Sequence, residues 1–117
     1  MAYVEDHTVP VTTDSGGNAT AFSPVVTGRI QQIIYTKDDF ANGVDFTITL
    51  EDTGQNLWTE SNVNASKTVN PRTAADLESG SASVLTEVGI FAAAERVKFA
   101  IAQGGNTLSG SFQIVVT

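Results

Sequence analysis

Val44-Asp45-Phe46-Thr47-Ile48-Thr49-Leu50-Glu51 alternates apolar and polar residues without a break. A period of two is the repeat of a pleated strand with one buried face, whereas a helix would scatter these acids around its circumference. Val44, Phe46, Ile48 and Leu50 therefore belong to a core. Asp45, Thr47, Thr49 and Glu51 face water or a partner, and the β-branched content suits a half-buried sheet.

The same signal recurs on both sides. Downstream, Val97, Phe99 and Ile101 alternate with Arg96, Lys98 and Ala100, and Gly104-Gly105-Asn106 supplies turn residues. Leu108, Phe112, Ile114 and Val116 follow at period two, so the C-terminal third reads as a hairpin. Gly110 falls on the inward face of the return strand, which predicts a bulge or the close approach of another backbone. Upstream, Val25 to Thr36 is a β-branched segment forming one long or two short strands, with a bend or bulge at Gly28. Asp14-Ser15-Gly16-Gly17-Asn18 is a second hairpin-like turn, between a weaker strand from His7 to Thr13 and Ala19-Thr20-Ala21-Phe22. Pro10 places that first strand at a sheet edge. Lys37 to Gly43 reads as a loop.

Glu60 to Glu87 differs: it is polar, rich in Ser, Asn and Ala, and weakly periodic. It reads as a long irregular middle loop with one helical turn after Pro71, around Thr73 to Leu77, and as an interaction surface. Strand signals at this spacing, with almost no helix, predict an all-β fold: an antiparallel β-sandwich, jelly-roll-like in its winding. Residues 1–18 form an N-terminal arm and edge strand, and residues 19–117 a single sandwich domain.

The 117 residues suit one domain, which excludes a two-domain enzyme. Apolar residues make up 41% and charged residues 16%, far from the composition of a disordered chain. Thirteen acids against six bases give a net charge of −7, the wrong sign for nucleic acid or an anionic membrane. Absence of cysteine excludes disulfides and thiolate metal sites. The first residues lack a basic stretch followed by an apolar run, so the expected site of synthesis is the cytosol.

Catalytic chemistry finds little to work with. The single histidine, His7, sits near a terminus, a poor place for the preorganisation a triad demands, and reads as an edge-strand histidine. Glu5-Asp6, Asp38-Asp39 and Glu51-Asp52 read as solvated turn acids rather than a glycosidase pair. Asp38, Asp39, Asn42 and Asp45 offer oxygen ligands for calcium, yet they do not follow the helix-loop-helix spacing and are ordinary turn formers. Neither glycine-rich turn continues into the Lys-Ser/Thr of a phosphate loop. Trp58 with Tyr35 and Tyr3 suggests a carbohydrate-stacking platform, against which stands the reading of Trp58 as a core or interface anchor. No cofactor is expected. The residues singled out for interaction are Tyr3, Pro10, Trp58, Pro71 and Arg72.

Several segments carry a resemblance: Ser23-Pro24-Val25-Val26-Thr27-Gly28-Arg29-Ile30 leading to Tyr35, Asp45-Phe46-Thr47-Ile48-Thr49, Thr53-Gly54, Asn70-Pro71-Arg72, Glu95 to Asn106, and Ser109-Gly110-Ser111-Phe112. In this order the chain resembles small virion structural proteins of tailed bacteriophages, over most of its length from Ser23 onward. The resemblance implies a non-enzymatic β-sheet protein of the virion. Its expected role is capsid decoration or cement, as a homotrimer bound to the major capsid protein or other virion proteins, with a tail, neck or baseplate part as the alternative. From a different class, a glycan-binding module stays open. A charge of −7 favours a position away from packaged DNA. Residues Met1 to Thr13 would be an arm adding strands to a neighbour.

Overall fold

The computed structural model describes residues 4–76 and 82–117, with side chains outside 74–86. Strands in chain order are β1 (Glu5–Thr12), β2 (Ala19–Phe22), β3 (Val26–Thr36), β4 (Val44–Leu50), β5 (Asn56–Val63), β6 (Lys67–Val69), β7 (Arg72–Asp76), β8 (Ala82–Gly89), β9 (Phe91–Glu95), β10 (Val97–Ala102) and β11 (Ser109–Val116). There is no helix among the described residues. A five-stranded sheet runs β1-β11-β3-β6, with β9 also on β3, and a four-stranded sheet runs β2-β10-β4-β5. All pairings are antiparallel. The chain is an all-β, sandwich-like protein.

Residues Val44 to Leu50 of the alternating stretch form β4, with Glu51 in the turn that follows, and Val44, Phe46, Ile48 and Leu50 are all buried. They face the inner residues of the other sheet. Phe112 of β11 lies with its ring centroid 4.9 Å from Phe99, 5.2 Å from Phe46 and 5.2 Å from Tyr35. Phe46 in turn meets Trp58 edge-on at 4.7 Å. Rings from both sheets thus interdigitate, and these geometries add to the burial of apolar area that holds the layers together.

The two glycine-rich turns are not hairpins. Strand β10 pairs with β2 and β4, whereas β11 pairs with β1 and β3, so Gln103 to Leu108 crosses from one sheet to the other. The link from β1 to β2 makes the same crossing. The two links bond to each other: Gly104 N donates to Gly17 O (2.9 Å) and Thr107 N to Asp14 O (3.0 Å). Turn residues signal that a chain changes direction, and period two signals a buried face, but neither says whether the next strand joins the same layer.

The middle segment also departs from expectation. Instead of an irregular loop it holds β5 to β8, and Arg72–Asp76 is strand rather than a helical turn, while Leu77 lies outside the described residues. Strand β5 is an edge of the four-stranded sheet, and β6, three residues long, is an edge of the five-stranded one. Polar residues on both faces erase the alternation that a half-buried strand would show. Strands β7 and β8 pair only with each other.

Strand β1 is the expected edge strand, with Pro10 exposed at its rim. It pairs with β11 from Glu5↔Val116 to Thr12↔Ser109 and buries Val9 and Val11, so these residues are built into this chain's own core. Gly28 adopts φ 137° at a register shift in the β3–β9 pairing, the bulge expected there. At Gly110 the close neighbour is not the backbone expected there but an aromatic ring: a Cβ would stand 2.5 Å from Cε2 of the buried Phe40, which fills the space the missing side chain leaves. Gly110→Ala is expected to cost about 1–2 kcal/mol through overpacking, measured as a shift of the urea midpoint at unchanged slope.

Tyr35 is fully buried, and its hydroxyl has no hydrogen-bond partner among the described residues. Burial, and secondarily the charge of Asp38, pushes the phenol up to about 12. Folding thus favours the protonated phenol. Its contribution is complete below the ordinary tyrosine value near 10 and is lost as pH rises towards about 12. Tyr35→Phe is expected to stabilise by about 1 kcal/mol at neutral pH, since it removes an unsatisfied buried hydroxyl. It should also flatten the fall of stability between pH 10 and 12. Urea titrations of both proteins across that range provide the check, and a destabilised variant would mean the hydroxyl is satisfied.

Candidate interaction site

Along one side of β3 the partner strand changes. Strand β9 pairs with it at Val26–Arg29 and β6 at Ile33–Tyr35. In the gap, Asn70 and Pro71 turn the chain out into β7, and Gly89 and Ile90 bring it back from β8. The β7–β8 hairpin is therefore rooted between two partners of one strand. At this root lies a cleft of about 40 Å³ lined by Arg29, Ile30, Gln31, Asn70, Pro71, Arg72 and Gly89.

Each lining group is held by the ladder. Arg29 exchanges backbone bonds with Thr117 (2.9 Å both ways), and Ile30 N donates to Ile90 O at 2.9 Å. Asn70 Nδ2 donates to Gln31 O (3.0 Å), and Pro71 is buried. Arg72 pairs in register with Gly89. A Cβ on Gly89 would lie 2.5 Å from Cδ of Arg29, so the missing side chain is what lets the arginine stem cross the root.

The chain carries six cations. Lys67 bonds Glu60 at 2.9 Å, and Arg96 makes a two-pronged bond with Glu51. These partners hold the Glu51 and Glu60 carboxyls below their ordinary range, Arg96 acting on the first and Lys67 on the second. Arg29 and Arg72 form no ion pair among the described residues. Beside them is Phe91, paired in register with Arg29 and 67% exposed. Directly paired residues present their side chains on the same sheet face, so Arg29 and Phe91 share one surface. Arginine and exposed aromatic residues are the side chains that most often anchor protein interfaces.

Of the residues singled out from sequence, Pro71 and Arg72 meet in this cleft. Pro10 sits at the far edge of the same sheet, on β1. Trp58 is a core residue, 7% exposed, with its indole N–H donating to Glu60 Oε1 at 3.0 Å. Tyr3 lies outside the described residues. With Trp58 and Tyr35 both in the core, they form no stacking platform for a sugar. Two of the acids considered for calcium tie chain segments together: Asp39 Oδ1 accepts from Ser109 N at 2.5 Å, and Asp45 accepts from Asn62 N at 2.8 Å and from Gln103 Nε2 at 3.1 Å. His7 lies on β1, 3.4 Å from Glu5.

Sequence reasoning missed Arg29 and Phe91. A signal for Phe91 was present, since Gly89 to Ala94 is apolar throughout and burial of Ile90 and Ala92 at period two turns the intervening Phe91 outward. The motif segments are also brought together. Buried Glu95 accepts from the amides of Asp52 (2.9 Å) and Thr53 (3.2 Å), tying the β4–β5 turn to the β9–β10 junction. Ser23 Oγ accepts from Val97 N at 2.9 Å. Compared with known proteins, the sequence matches no family model and no curated relative.

Proposed function

We propose that this chain is a non-enzymatic structural protein of a tailed-bacteriophage virion, acting as a capsid decoration or cement protein that binds the outer shell as a homotrimer. The observation that carries the reading is the surface where Arg29 shares a sheet face with exposed Phe91 and lines a cleft together with Arg72, on a chain of net charge −7. Such a surface suits a protein partner, with an aromatic anchor flanked by directional charge. The order of the motif segments supports the same class, and the Glu95–Thr53 and Ser23–Val97 bonds give their co-occurrence a physical reason. Net negative charge supports a position on the outer shell rather than against packaged DNA.

Many weak copies on a symmetric shell hold by multivalency, so modest contacts per subunit suffice. The test is sedimentation of purified chain with empty capsids and with isolated tails, alongside a solution mass. Saturable binding to capsids and a three-copy mass are expected. Binding to tails alone would move the protein to the tail, neck or baseplate. A monomer that binds neither particle but retains a glycan would overturn the structural reading in favour of a binding module.

A further inference from the structure

The geometry points to the cleft at the root of the β7–β8 hairpin as a receptor for an oxyanion, and specifically for a carboxylate from an acidic segment of a partner protein. It rests on the proposed virion role only for which protein supplies that segment.

Size sets the class of ligand. The cleft is small, about 40 Å³, which suits a compact head group such as a carboxylate or a phosphate. Charge sets the sign. Arg29 and Arg72 both line the cleft, the stem of the first against Gly89 and the second paired with it in register, and neither meets a carboxylate among the described residues. Guanidinium groups donate in a planar fork that matches a carboxylate edge, and such charge-assisted pairs are stronger than neutral hydrogen bonds. Rigidity sets the precision. Arg29 is anchored by bonds to Thr117 in the interior of β3, and Asn70 is clamped on Gln31 O with its own Oδ1 outside that bond. Carboxylate is favoured over phosphate because a protein of net charge −7 repels a group of single charge less than a phosphate of about −1.5 to −2. An acidic side chain on a peptide brings a single charge, with apolar neighbours for Phe91 to cover.

Gly89 is the positioning residue of this arrangement. Gly89→Ala pushes a methyl into Cδ of Arg29 and displaces the guanidinium without changing any charge.

The full chain is titrated at low salt with an acetylated, amidated Leu-Glu-Leu peptide, and separately with inorganic phosphate, while the ¹⁵Nε resonances of the arginines are followed by NMR. Saturable shifts of Arg29 and Arg72 with the peptide are expected, with little change at Arg96, which is already bonded to Glu51. Arg29→Gln and Arg72→Gln should each weaken binding about tenfold, Gly89→Ala should weaken it with both arginines present, and Lys98→Gln should leave it unchanged. Unaltered amide spectra away from the cleft verify the fold of each variant. Equal binding by the Arg29→Gln/Arg72→Gln protein would overturn the proposal, and so would tighter saturation by phosphate than by peptide. Capsid sedimentation separates the two readings. If the double variant loses the peptide but still decorates capsids, the cleft binds carboxylate and the shell contact lies elsewhere. If wild type binds peptide and no particle, the virion role fails and the receptor stands.

Discussion

Phe112→Ala is expected to lower the free energy of unfolding by about 3–5 kcal/mol, the range for emptying a large aromatic site in a core that cannot collapse around the gap. Phe112 is fully buried on β11, and its ring meets Phe99 and Phe46 of the facing sheet as well as Tyr35 of its neighbouring strand. Deleting it therefore removes contacts in both layers at once. Domains of this size are stable by only about 5–15 kcal/mol, so the variant should retain a small margin at best. Trp58, the single tryptophan, stacks edge-on against Phe46 and reports the transition by fluorescence in urea. Phe112→Leu keeps most of the volume and should lose only about 1.5 kcal/mol. A loss below 1 kcal/mol for the alanine variant would contradict the packing of the two sheets described above.

Glu95→Ala is expected to cost about 2–4 kcal/mol. Its carboxylate is 4% exposed and accepts from two backbone amides and, at 3.5 Å, from the Thr53 hydroxyl. A hydrogen bond to a charged group is worth roughly 1.5–3 kcal/mol net, and truncation also leaves a void. Part of the loss is recovered because Asp52 and Thr53 are exposed and their amides can turn to water. Glu95→Gln keeps the acceptor oxygen and should lose about half as much. Hydrogen exchange at Asp52 and Thr53 supplies the local readout: both amides should exchange faster in the alanine variant. Unchanged exchange would mean that Glu51 N donating to Arg96 O, together with Leu50 N to Gln55 O, suffices to hold the turn.

Legibility of the fold tracked burial asymmetry. Strand β4 has one buried and one polar face, and its inward residues were assigned correctly from alternation alone. The same logic placed Pro10 at an edge and Gly28 at a bulge, while at Gly110 it expected a backbone where a phenylalanine ring approaches. It misjudged β10 and β11 as a hairpin because each has a clean buried face in either topology, and only hydrogen-bond partners distinguish them. Strands β5 to β8 were illegible for the opposite reason: edge position and a hairpin paired only with itself leave polar residues on both faces. At the candidate site, Pro71 and Arg72 stood out because a proline and an arginine interrupt a bland segment. Arg29 did not, since its role depends on Gly89, a neighbour 60 positions away that only the fold brings alongside.

Strand β11 is the last of the chain in order and yet lies between β1 and β3, with Glu5 opposite Val116. A ribosome that has delivered everything up to the β10–β11 link has made two strands that flank an empty lane. Neither can complete its ladder, and Ile33, Tyr35, Val9 and Val11 have no Phe112 or Ile114 beside them. Assembly of the five-stranded sheet is therefore deferred until β11, eight residues long, emerges. The pairing of first strand with last also makes closure a long-range event, which slows folding relative to a meander of equal size. In a crowded cell this interval is when the unfinished sheet is open to insertion by a strand from another molecule.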